Sequence, residues 1–167
     1  GKKYGFSIIE DASHAIGSKY NEEPVGNCKY SSITIFSFHP VKIITTGEGG
    51  IATTNDFNLS RNMQDLRSHG IVKDRSRLEN FDQGDWFYEQ QQLGFNYRIT
   101  DIQCALGLSQ LRRLDEIVKE RNRLLDLYRA CLSKLAISLL EIPNNVNSSV
   151  HLVIIRLKDQ NPYHHKK

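Results

Sequence analysis

One lysine in this chain stands where an amine could do covalent chemistry. Residues 34–42, TIFSFHPVK, run from an apolar stretch of β-branched and aromatic residues through a proline to Lys42, and the turn TTGEGG follows at 45–50. A run of this kind reads as a buried strand. Pro40 ends it, because proline lacks the N–H that pairing needs and fixes its own φ. Lys42 is therefore expected at a sheet edge with its amine toward a cavity. There desolvation lowers a lysine's pKa and makes it a nucleophile toward a carbonyl carbon, through a Schiff base. Most lysines are solvated surface charges, and 22 residues here are Lys or Arg, so the neighbours of Lys42 must decide.

Asp11 closes the short apolar segment FSIIED at 6–11. Ligands of open α/β sheets gather beyond the carboxyl ends of strands, where this carboxylate falls, although a lone aspartate more commonly caps a turn. Ser37 lies five residues before the lysine at the end of the other strand. An acid after a strand, a Ser-x-x-x-x-Lys pair and a glycine turn together form the set that pyridoxal 5′-phosphate requires. Its aldehyde needs a lysine, its ring nitrogen needs a carboxylate, and its phosphate needs hydroxyl and amide donors.

The elements that must position these groups follow from pattern. After a polar turn around residues 21–26 comes the strand ending near Phe38, then a short strand at 51–54 beyond Gly49 and Gly50, which tolerate positive φ and close backbone approach. Leu59, Met63 and Leu66 share one face of a helix over 55–69, with Gly70 as its C′ stop. Residues 71–95 are polar and irregular. The aromatic cluster at 84–88 is expected to pack down against a partner surface. Thr100 and Gln103 form a capping box opening one long helix from about 100 to 134. Along it Leu108, Leu111, Leu114, Val118, Leu125, Tyr128 and Leu132 make an apolar stripe for the core. Gly107 costs about 1 kcal/mol there relative to alanine and marks close packing of another backbone. A Pro/Asn/Ser linker at 143–149 precedes a strand at 151–157.

Composition bounds the partners. The net charge of +3 is mild, and the longest basic run is the terminal Lys166-Lys167 pair, so nucleic acid is not favoured. No apolar stretch is long enough to span a bilayer and no leader pattern precedes the first strand. Cys28, Cys104 and Cys131 lack the spacing of a disulfide framework or a zinc site. They read as packing thiols of a reducing compartment, which points to the cytoplasm. The chain begins and ends close to strands, like the middle of something longer.

Three motifs carry a resemblance: EDASHAIG at 10–17, FSFHPVKIITTGEGG at 36–50 and LGFNYRITDIQ at 93–103. Together they resemble the DegT/DnrJ/EryC1/StrS sugar aminotransferases, over about residues 6–157. Within that family they are closest to members that act in pseudaminic acid biosynthesis. The resemblance implies an α/β chain of the pyridoxal phosphate-dependent transferase fold of type I (aspartate aminotransferase-like). Residues 1–142 would be the C-terminal part of the cofactor-binding large domain, and 143–167 the linker and first strand of a truncated small domain. It implies Lys42 as the Schiff-base lysine and proton shuttle, Asp11 as the partner of the pyridinium nitrogen, and His14 near the ring oxygen. Ser37 would bind the phosphate, and Asn96 would reach the phosphate of a neighbouring subunit in a homodimer with shared sites. Arg98 is a weaker inter-subunit candidate; His39 and His151 receive no role. Related dehydratases carry histidine at the lysine position, so Lys42 favours transamination.

The implied reaction moves an amino group from L-glutamate to the C4 keto group of a UDP-linked 4-keto-6-deoxy-N-acetylhexosamine, in a homodimer with no nucleic-acid or membrane partner. The segments that would complete the cofactor pocket and the small domain are not in this chain, so alone it is expected to be inactive, with exposed sheet edges and an apolar face. Two alternatives stay open: an inactive remnant, and a related aminotransferase with another ketosugar, such as that of the 4-amino-arabinose pathway of lipid A.

Overall fold

Asp11 and Ser37 reach the same end of one sheet because their strands run parallel. The computed structural model describes residues 1, 3–80 and 83–158; the last part of the expected second unit, 159–167, lies outside the described residues. Strand β1 (Ile9–Asp11) pairs in parallel with β4 (Ile33–Ser37), with Ile9 opposite Ile33 and Asp11 opposite Ile35. Side chains alternate across a strand, so Asp11, Ile35 and Ser37 share one face. Thr34 and Phe36 point the other way and are buried. Strand β5 (Gly50–Thr53) completes the sheet in the order β1-β4-β5, but antiparallel to β4. The sheet is thus mixed rather than wholly parallel. The short excursion of residues 38–49 folds the chain back on itself instead of crossing over through a helix, and a reversal of that kind gives antiparallel pairing.

Between β1 and β4 the chain forms a hairpin of β2 (Lys19–Tyr20) and β3 (Glu23–Pro24). Asn21 and Glu22 take left-handed φ of 49° and 64°, as a two-residue primed turn requires. Strand β9 (Val146–Asn147) adds to β2. The buried hydroxyls of Ser18 and Ser149 bond at 2.8 Å, which ties the segment after Asp11 to the far end of the chain.

Helix α1 (Phe57–Arg67) opens on Asp56, whose carboxylate accepts from the N–H groups of Asn58 and Leu59. It ends one residue earlier than the glycine suggests. His69 already has φ +64°, Gly70 follows at +70°, and the Gly70 N–H closes a six-residue loop onto Asp65 C=O. The long polar segment contains a two-stranded ribbon of β6 (Ile71–Val72) and β7 (Glu89–Gln90), fixed by the ion pair of Arg77 with the buried Asp65. Trp86 and Tyr88 are exposed, so the aromatic cluster does not pack onto this chain.

The expected long helix is two. The capping box at Thr100 and Gln103 is present, and α2 (Asp101–Leu111) runs from it; α3 (Leu114–Leu132) follows after a break. At the break the Arg113 N–H bonds three residues back to Gln110 C=O, and φ −108°, ψ 12° leave the helical region. The two helices answer to different neighbours. Gly107 faces Thr46 in the loop after β4, whereas Leu114 and Val118 lie on Gly17 in the loop after β1. One straight rod does not meet both. The apolar stripe is accordingly buried only at Leu125, while Leu108, Leu111 and Tyr128 stay exposed. Leu108 and Leu111 instead line an apolar groove of about 810 Å³ with Phe36, Phe38 and Ile51. The close approach at Gly107 is made by a side chain, not by a backbone. Near the end of the described residues, β8 (Ile137–Leu139) pairs antiparallel with β10 (Ile155–Leu157), a strand shorter than the stretch beginning at His151.

Candidate active site

Lys42 sits on an arch whose neck is closed by backbone pairing. Phe38 N–H donates to Gly49 C=O at 2.8 Å and Thr46 N–H donates to Phe38 C=O at 3.0 Å. Inside the arch Lys42 N–H donates to His39 C=O at 2.9 Å, forming the turn that Pro40 begins. The next two residues, Ile43 and Ile44, are buried. Burial of such side chains contributes about 1.5–3 kcal/mol each, so the arch is nailed into the core directly after the lysine. Lys42 itself is half-buried. Gly49 allows the tight return: a Cβ there would lie 2.5 Å from Thr46 Oγ1.

Asp11 is exposed at the carboxyl end of β1, and its Oδ1 accepts from the N–H of Ser13 at 3.0 Å and from its hydroxyl at 2.5 Å. These bonds, reinforced by the charges of His14 and Lys42, hold the carboxyl below the usual carboxylate range. Asp11 thus caps the turn as a lone aspartate commonly does, and the capping uses one oxygen only. Among the described residues no donor reaches Oδ2.

The structure brings a fourth group to this edge. The His14 and His151 rings lie 4.3 Å apart between centroids, tilted by 48°, at the rim of a cavity of about 180 Å³. Arg121 Nη1 donates to Val150 C=O at 3.0 Å and to His151 C=O at 3.4 Å, fixing the backbone at this point. His151 Nδ1 is buried with no partner among the described residues. Burial first, then the charges of His14, Lys42 and Arg121, hold the His151 imidazole below its ordinary pKa. The charge of Lys42 is felt at both Asp11 and His151. Asp11 with its near neighbour His14, and His151 against His14, thus form a cluster that feels the charge of Lys42, although Asp11 and His151 are separated by most of the chain.

Ser37 lies at the end of β4 on the Asp11 face, two residues beyond Ile35 and opposite Gly50. Its hydroxyl accepts a long bond from His39 N–H at 3.4 Å. His39 also approaches Glu48 at 4.0 Å, which braces the arch across its width. Asn96 does not join the cluster. It is exposed on the strip that bridges to Ser68, between the stacked rings of Phe95 and Tyr97. Arg98 is exposed on the same strip. Sequence reasoning left His151 without a role, since a histidine opening a strand carries no spacing signal toward His14.

The sequence profile of the DegT/DnrJ/EryC1/StrS aminotransferase family matches residues 1–167, and the chain belongs to that family. Its fold is part of the type I pyridoxal phosphate-dependent transferase arrangement. Among similar curated proteins, the UDP-4-amino-4,6-dideoxy-N-acetyl-β-L-altrosamine transaminase of Campylobacter jejuni is 41% identical over 157 residues, 93% of this chain and 39% of the relative. The Helicobacter pylori transaminase of the same name is 41% identical over 121 residues, covering 72% of this chain and 29% of that protein. Among solved structures, Helicobacter pylori PseC, an aminotransferase involved in the biosynthesis of pseudaminic acid, superposes with TM-score 0.81 at 34% identity, over 93% of this chain and 39% of that one. The putative sugar aminotransferase Spr1654 of Streptococcus pneumoniae, in its PLP-form, superposes with TM-score 0.79 at 33% identity, over 91% and 37%. The chain spans about 39% of the length of the first of these curated relatives.

Proposed function

We propose that this chain is the catalytic-lysine portion of a pyridoxal phosphate-dependent nucleotide-sugar aminotransferase. The observation that supports the reading is an Asp11 carboxylate held below its usual range, in part by the charge of Lys42, at the sheet edge where Ser37 shares its face. The donor set fits the cofactor: a half-buried amine, a carboxylate with one oxygen unspent, and a hydroxyl occupied only by a 3.4 Å bond. Bound there, pyridoxal phosphate supplies an aldehyde for amine exchange and a protonated ring that withdraws electrons from the carbon losing its proton.

Lys42 would hold the aldehyde and move a proton at Nζ, and the buried Ile43 and Ile44 keep that amine in place during the exchange. Asp11 would hold the proton on the ring nitrogen, and remains ionised to do so because Ser13 already donates to it. Ser37 would donate its hydroxyl to the phosphate. His14 would face the ring oxygen. Asn96, exposed on the strip bridged to Ser68, would serve the phosphate of a neighbouring subunit in a homodimer. The resemblance favours transfer from L-glutamate to the C4 ketone of a UDP-linked 4-keto-6-deoxy-N-acetylhexosamine, as the name of the Campylobacter relative suggests. Residues 1–142 would belong to the large domain and 143–167 would begin the small one. Among the described residues no helix is long and apolar enough to cross a membrane, and three free thiols suit a reducing cytoplasm.

The full protein, loaded with pyridoxal phosphate and reduced with borohydride, should carry a pyridoxyl group on the peptide containing Lys42. It should form 2-oxoglutarate when given L-glutamate and the keto sugar. A label on another lysine, or retained in Lys42→Ala, overturns the assignment. Mixing Lys42→Ala with Asn96→Ala subunits should restore activity; no recovery rules out the shared site.

A further inference from the structure

The arch that carries Lys42 is held from outside by one face of α2. Gln110 Oε1 accepts from Thr45 N–H at 3.2 Å, and Gln110 Nε2 donates to Thr45 C=O at 2.9 Å. Neither backbone polar group of Thr45 has a backbone partner among the described residues, so this single side chain satisfies both. Two turns earlier Gln103 Nε2 donates to Glu48 C=O at 3.0 Å, while its Oε1 accepts from Thr100 as part of the helix cap. Between them Gly107 lets the Thr46 methyl come close. Positions 103, 107 and 110 have the i, i+4, i+7 spacing of one helix face. A primary amide set against a peptide group in this way substitutes for a strand the arch does not have.

We infer that Gln110, with Gln103 beside it, is a positioning residue for Lys42, and this rests on the reading of Lys42 given above. The arch has three anchors: the neck at Phe38, the core at Ile43 and Ile44, and α2 at Thr45 to Glu48. Removing the third leaves the segment directly after the buried isoleucines with two unsatisfied polar groups and freedom to shift. Thr45 lies only three residues after the lysine, so this anchor acts together with the isoleucines in setting where Lys42 stands. Gln110 touches neither cofactor nor substrate in this role. It sets where the amine stands.

The test uses the full chain with Gln110→Glu and Gln110→Leu. An ionised glutamate keeps the bond from Thr45 N–H but opposes Thr45 C=O with a second acceptor; its protonated form restores both bonds. At about pH 8, amide hydrogen exchange of the apoprotein over residues 45–48 should be faster than wild type by about tenfold or more in both variants. Capture of pyridoxal phosphate on Lys42, trapped by borohydride, should slow in parallel. At about pH 3.5, below the usual glutamate pKa, the glutamate variant should approach wild type measured at that pH, whereas the leucine variant should not. A merely structural glutamine leaves the rate of capture on Lys42 at the wild-type value in both variants. Exchange over 45–48 that matches wild type in both variants overturns the inference, as does altered exchange with an unchanged rate of capture. If wild-type protein takes no label on Lys42, the functional reading fails and this inference with it; labelled wild type with indifferent variants sinks the inference alone.

Discussion

Adding a methyl group to Gly107 should destabilise the protein, and the sign should reverse when one other methyl is removed. A Cβ built at Gly107 meets a single heavy atom within 4 Å outside its own helix, Thr46 Cγ2 at 2.8 Å. Thr46 is buried and has little room to yield. Its hydroxyl donates to Glu48 C=O at 2.8 Å and its N–H to Phe38 C=O at 3.0 Å. Gly107→Ala gains about 0.5–1 kcal/mol from helix propensity. Overpacking against Thr46 costs about 1–3 kcal/mol, so the net effect runs from neutral to about 2.5 kcal/mol unfavourable. Thr46→Ser keeps the hydroxyl and deletes the offending atom. In that background Gly107→Ala meets open space and should stabilise by about 0.5–1 kcal/mol. The coupling across the cycle is therefore about 1–3 kcal/mol, read from urea unfolding of the four full-length proteins by circular dichroism. Equal effects of the alanine in both backgrounds, within about 0.5 kcal/mol, refute the packing argument.

Two more outcomes follow from the charged groups. Arg77→Met leaves the Asp65 carboxylate without its guanidinium partner and should destabilise the protein in the same unfolding assay; adding Asp65→Asn should recover part of that loss. His151 has a folded pKa below its unfolded value, so the unfolded chain binds the extra proton first and stability falls as the pH drops below about 6.5. His151→Phe should flatten that acid-side slope. His14→Gln should raise the His151 pKa, followed by imidazole NMR; an unmoved resonance counts against the contact between the two rings.

What the sequence showed best was whatever rests on local pattern. The strand ending at Ser37, the halt at Pro40, the Thr100 capping box and the glycine return each depend on a few adjacent residues, and each is found. Lys42 and Asp11 were legible as a pair because both lie just after strands, and parallel strands bring such ends together. The break at Arg113 was not legible, since the apolar stripe continues through it without a proline or a glycine. Only the two separate partners of α2 and α3, Thr46 and Gly17, require it. The burial of that stripe was overestimated for the same reason: periodicity says which side is apolar, not whether anything covers it. Gln103 was legible only as part of the helix cap, and Gln110 carries no local signal of the arch beneath it. The pairing of His14 with His151 spans 137 positions, and no local signal reaches that far.

The register between β1 and β4 has a consequence for how this scaffold tolerates change. The spacing between the carboxylate at position 11 and the hydroxyl at position 37 is fixed by rungs of a ladder, Asp11 against Ile35, and not by the 25 intervening residues. Extra residues spliced at the Asn21–Glu22 hairpin tip would lengthen the tether without altering the gauge, because loop growth is entropically cheap. Sliding either strand by a single rung would instead turn the acid to the wrong side of the sheet. The reactive geometry is therefore indifferent to length and intolerant of phase.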